Sequence, residues 1–183
     1  CMSTLTVKEL SHPAGEVIKI AAGKTLDLNS QGTVKMPAGS VVQVVNATTA
    51  TKVTSTSNST WVDTTVIASI TPLYSDSKIL ITINQHVGNF TSGLGGDYNI
   101  LRDSTSIKHY TNYSRVDEVT GGQIATVCTF TVLDSPSTTS QVTYKTQGKH
   151  RGTNSGTIVF QDNTSGTAGA LAESQITLME IAQ

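Results

Sequence analysis

The chain has 183 residues, the length of one domain with at most a short appendage. Its formal charge is −1 and charged residues make up 14% of it, about half the usual share. That balance excludes the Lys/Arg surplus of a nucleic-acid binder and the basic face of a membrane-surface helix, and no apolar run reaches the ~18 residues of a membrane-spanning helix. Hydroxyls replace charge, with 30 Thr and 20 Ser. With 17 Val and 13 Ile, 60 of 183 residues are β-branched, which restricts χ1 in helices and suits a pleated surface. An all-β chain is predicted.

In chain order, Cys1 precedes Met2-Ser3-Thr4, which has the form of a natural start. From Glu16 to Ser40 the chain is a series of short alternating pieces punctuated by Gly23, Gly32 and Gly39. Ile18 and Ile20, Leu26 and Leu28, and Val34 and Met36 each put two apolar side chains on one face. Each piece is too short to bury that face alone. Residues 1–40 are therefore read as a β-structured shaft or attachment segment packed around an axis shared with other copies, the alternative being a linker with one strand.

A compact β domain is predicted over residues 41–183. Val41–Asn46 is a short strand, and Ala47–Thr60 a loop or weakly paired edge. Trp61–Ile70 follows, with Val62, Val66, Ala68 and Ile70 on one face, before a turn at Pro72 and Ser75-Asp76-Ser77. Lys78–Val87 alternates Ile79, Ile81, Ile83 and Val87 with Leu80, Thr82, Asn84 and His86. Asp97–Arg102 and Ile107–Tyr113 flank the hairpin sequence Asp103-Ser104-Thr105-Ser106. Gln123–Leu133, Gln141–Gly148, Thr157–Gln161 and Ser174–Ile181 bring the total to nine strands, the spacing of a sandwich or jelly roll.

Six blocks, taken in order, resemble small fibre proteins of marine tailed bacteriophages. They are Met2–Lys8, AAGKTLDLNSQGTVKMPAGSVVQVV, WVDTTVIASITPLYSDSKILITI, NILRDSTSI, VLDSPSTTSQVTYK and SQITLMEI. The stretches Asn84–Asp97 and Lys108–Gly122 are the least typical. The resemblance implies a virion appendage: a parallel homotrimer whose N-terminal segments intertwine or attach to other virion proteins, with a jelly-roll-like β-sandwich head that meets a glycan or protein of the host surface. A capsid decoration, head fibre or connecting protein without a host receptor is the alternative.

Residues capable of chemistry are sparse. His12, His86, His109 and His150 lack ligand spacing, so no metal or other cofactor is expected within one chain, although a trimer can build a site from one His per copy. The adjacent Asp117 and Glu118 point to opposite faces of an extended segment and cannot serve as a glycosidase pair. Asp97 and Asp103 bracket one strand. There is no G-x-S-x-G elbow, and Cys128 lies mid-strand in Ala125–Phe130, where it reads as a small buried hydrophobe. Gly93-Leu94-Gly95-Gly96 lacks the Lys-Ser/Thr of a phosphate loop. No enzyme is expected. Lys145, Lys149 and Arg151 read as charges that guard a strand edge. Tyr98, Tyr110 and Tyr113, with His109 and Arg115, are the candidate receptor-binding residues, because Tyr offers stacking area with a polar tip at low entropy cost. Core and intersubunit packing are the competing roles for the tyrosines, and Trp61 reads as structural.

Overall fold

In the computed structural model, residues 22–23, 36–89, 95–115, 124–152, 156–162 and 172–183 are described. The chain divides into two units, Cys1–Lys35 and Met36–Gln183, and everything below concerns the second. The alternating pieces before Met36, the Asp117-Glu118 pair and Gly93-Leu94 lie outside the described residues.

Among the described residues ten strands form: β1 Val41–Thr49, β2 Val53–Ser55, β3 Val62–Ile70, β4 Lys78–Asn89, β5 Gly95–Arg102, β6 Thr105–Arg115, β7 Ile124–Asp134, β8 Val142–Arg151, β9 Ile158–Phe160 and β10 Ser174–Ile181. The nine expected strands are all among them. The addition is β2, three residues of the Ser/Thr-rich stretch that pair with β9 at a sheet edge.

Sheet A runs β1-β10-β4-β7, with β9 taking over from β10 along the second half of β4 and β2 beside β9. At the handover the His86 amide donates to Ser174 Oγ (2.9 Å) and its carbonyl accepts from the Gln161 amide (3.0 Å), so no backbone group of His86 is stranded. Sheet B runs β3-β8-β5-β6, and all pairings in both sheets are antiparallel. The described residues of this unit thus form an all-β, two-sheet sandwich.

Period-two alternation decides what each sheet buries. Cross-strand rows Val45–Leu178–Ile81–Val132 and Ala47–Ile176–Ile83–Phe130 line the inner face of sheet A. They meet Val66, Ala68, Ile70, Tyr98, Ile100, Val142 and Tyr144 of sheet B. Each fully buried Ile contributes about 1.5–3 kcal/mol. Gly148 of β8 lets the sheets close: a Cβ there would lie 2.2 Å from Cζ of Phe160, itself fully buried.

Polar clasps hold the sandwich at one end. Asp134 of β7 accepts from Arg102 Nη1 and from the Tyr144 hydroxyl, both at 2.8 Å, tying sheet A to two strands of sheet B. Nearby, Glu180 is fully buried and accepts from Gln43 Nε2 and from the amides of Leu73 (2.8 Å) and Tyr74 (3.2 Å). The hairpin turn Asp103-Ser104 has Asp103 at φ 54°, a conformation Asp tolerates, and Asp103 and Thr143 exchange two hydrogen bonds at 2.7 and 2.9 Å.

Candidate recognition surface

The strand register gives the sandwich two distinct ends. Ser40, Ile70, Lys78, the Asp103-Ser104 turn, Asp134, Val142 and Ile181 share one, here called proximal. Chain entry is there too, because the Gly39 amide donates to the Ala182 carbonyl and the Ala182 amide to Ser40. The opposite, distal end holds Val62, Gly95, Arg115 and Arg151, with Asn89 and Ile124 paired at the ends of β4 and β7. The described parts of the two least typical stretches, Asn84–Asp97 and Lys108–Gly122, run toward this end.

The three candidate tyrosines do converge, but on the side of the sandwich. Tyr110 and Tyr113 are three residues apart in one strand and would face opposite ways in a regular ladder. A bulge between them resolves this. Gly96 pairs with Ser114 and Tyr98 with Tyr110, so β6 carries two extra residues, with Asn112 at φ 54° and its amide held by Asp97 Oδ1 at 2.8 Å. Both rings then reach Phe130, at centroid distances of 4.9 Å for Tyr110 and 5.1 Å for Tyr113. The Tyr113 hydroxyl donates to the Thr129 carbonyl (3.0 Å), strapping the β6 edge of sheet B to the β7 edge of sheet A.

Tyr98 is corrected as a receptor contact. It has 0% exposure, packs tilted against Phe130 with ring centroids 5.2 Å apart and hydrogen-bonds Ser114 Oγ (2.5 Å), while Cys128 Sγ lies 3.7 Å from its hydroxyl. Burial, the first cause, and the neighbouring Cys128 push its phenol well above the usual range. Tyr110 is half-buried under the same cluster, with Lys108 Nζ 5.7 Å from its ring, and Tyr113 is 49% exposed. Cys128 is buried as expected.

The outer face of sheet B gathers residues that sequence reasoning left apart. From the distal end inward its rows are Arg151–Gly95–Arg115, then Lys149–Asp97, then Asp63–Gln147–Asn99–His109, then Ile67–Lys145–Leu101–Ser106. Trp61 precedes β3 beside Lys149 and lies partly exposed across these strands. The His109 ring meets it edge-on at 5.1 Å, and Lys149 Nζ sits 4.9 Å from its ring centroid, a cation–π arrangement. Trp61 is therefore half surface, not only structure. Its place before an alternating strand carried no sign of this, because the contact crosses two intervening strands.

Lys145, Lys149 and Arg151 also need correction. β8 lies between β3 and β5, so these side chains guard no edge; alternation projects them from the face. The edges are disrupted instead by bulges at Thr65 (φ 65°) in β3 and Asn112 in β6. Asp63 accepts from Lys145 Nζ and Gln147 Nε2, both at 2.8 Å, and the Lys145 bond is the main reason its carboxyl lies below the usual range. Asp97, nearly buried, faces Arg151 Nη1 at 3.6 Å. The patch offers an aromatic ring, amides and cations, the chemistry of a binding surface. Among the described residues no three His, Cys, Asp or Glu side chains group to hold a metal ion.

No family model matches the chain, and no curated protein matches it. Solved structures similar to it include the VP2 subviral particle of infectious bursal disease virus, at 14% identity and TM-score 0.42, covering 87% of this chain and 42% of that one. The structure of the Gx strain of the same virus is similar at 14% identity and TM-score 0.39, covering 87% and 42%. This chain thus spans less than half the length of the chains it matches.

Proposed function

We propose that the chain is a non-enzymatic structural protein of a bacteriophage particle, a trimeric tail fibre. Residues 1–40 attach it to other virion proteins, and the sandwich head meets a glycan or protein of the host surface. One observation carries this reading: chain entry lies at the proximal end, whereas Trp61, His109, Lys149, Arg115 and Arg151 lie toward the distal end, where the least typical stretches run. A molecule anchored at one end and adhesive at the other needs that polarity. Several weak sites on linked copies would then sum by effective concentration.

The test is competition. Soluble full-length chain should slow adsorption of the phage to its host, and Trp61→Ala combined with Lys149→Glu should abolish the effect while retaining the circular dichroism of the wild type. Chain that is found in purified particles but neither binds host cells nor competes would contradict host recognition and favour a decoration or connecting protein.

A further inference from the structure

We propose that the outer face of sheet A is the surface through which copies of this chain pack on one another, an inference that rests on the multi-copy reading above. Alternation places three complete rows on that face: Val44–Met179–Leu80–Leu133, Asn46–Thr177–Thr82–Thr131 and Thr48–Gln175–Asn84–Thr129. Not one of these twelve side chains is charged. The first row is apolar from edge to edge across four strands, with Val44 56% and Leu133 53% exposed at its ends. The other rows are hydroxyls and amides, already tied by Asn46 Nδ2 to Thr177 Oγ1 and by Thr129 Oγ1 to Asn84 Oδ1, both at 2.8 Å. Lys78 stands at the proximal rim beside Ile181.

Two contrasts select the occupant. Of the eight large apolar side chains exposed among the described residues, Val41, Val44, Val127 and Leu133 lie on this face, against Ile67 alone on the outer face of sheet B. Charge separates the faces more sharply. A surface that meets a copy of itself around a rotation axis repeats every fixed charge in each copy; among the described residues the outer face of sheet B carries Lys145, Lys149, Arg115 and Arg151 against only two carboxylates, Asp63 and Asp97, so that face is matched to something else. The face of Thr, Asn, Gln and aliphatic rows is matched to its own copy in charge. An apolar row bordered by polar residues is also the usual anatomy of a subunit contact. Sheet A then faces the assembly axis, and sheet B, with Trp61, faces outward.

Sedimentation velocity of the full chain at micromolar concentration tests this. Wild type should sediment as a multiple of 19.3 kDa. The double variant Val44→Glu/Leu133→Glu, altered only at exposed positions, should sediment as a single chain, and Ile67→Glu on the opposite face should keep the wild-type mass. Thr131→Lys, at an exposed hydroxyl of the same face, repeats the test without removing an apolar side chain and decides the matter if the double variant does not fold. An assembly that survives these sheet A charges, or that Ile67→Glu dissociates equally, overturns the assignment of the face. A monomeric wild type would instead overturn the multi-copy reading itself.

Discussion

Replacing Gly148 with Ala probes the contact that closes the sandwich. The added Cβ would stand 2.2 Å from Phe160 Cζ and 2.7 Å from Cε1, well inside the ~3.5–4.0 Å optimum for carbon atoms. Phe160 is fully buried, with Tyr98 6.2 Å away on one side, so its ring has little room to retreat and the sheets must part locally. Overpacking of this kind costs about 1–3 kcal/mol. At about 2–4 °C per kcal/mol for a domain of this size, a cost of about 2 kcal/mol lowers Tm by about 4–8 °C. The control is Phe160→Leu, expected to cost about 1 kcal/mol through lost packing, and the double variant should be about as stable as Phe160→Leu alone. Thermal unfolding followed by circular dichroism measures all three. Gly148→Ala with unchanged Tm, or strictly additive losses in the double variant, would refute the face-to-face packing of β8 and β9.

Other perturbations follow from the same structure. Asn112→Ala should destabilise by about 1 kcal/mol because a residue with Cβ and no local hydrogen bond is held at positive φ, whereas Asn112→Gly should cost only a few tenths; chemical denaturation distinguishes them. Tyr113→Phe should cost about 0.5–1 kcal/mol through the lost bond to the Thr129 carbonyl, read from the shift in denaturation midpoint at constant m-value. Burial alone would raise the Glu180 carboxyl, but the neighbouring Ser77 hydroxyl, Gln43 and the Leu73 and Tyr74 amides together outweigh it, so its pKa lies below the ordinary 4.5. Its stabilisation is therefore present above about pH 4.5 and lost as pH falls through the lower folded value. The midpoint should drop below pH 4.5 in wild type and less steeply in Glu180→Gln.

The scaffold was readable where alternation was strict. In β4 the side chains of Ile79, Ile81, Ile83 and Val87 are all buried, as their spacing required, and the Asp103-Ser104 turn falls inside the four residues singled out for it. β2 was missed because Val53-Thr54-Ser55 is too short to show a period and pairs only with the equally short β9. The outer face of sheet B was legible only in part. His109 and Arg115 are exposed on the outer face of sheet B, but Tyr98 was indistinguishable from a surface tyrosine until its neighbours Phe130 and Phe160 were known. Strand order is set by contacts distant in sequence, so no local signal placed β8 inside a sheet or brought Trp61 to His109. Nor could spacing anticipate the β6 bulge, which depends on Asp97 holding an amide fifteen residues away.

The most direct test of the central claim is to locate the chain in images of the intact phage particle, using antibody fragments against the outer face of sheet B. The account predicts labelled appendages containing several copies each, with the label at their free ends and sheet B outward. Purified particles that lack the chain, or that carry the label at the base of the appendage, would contradict it.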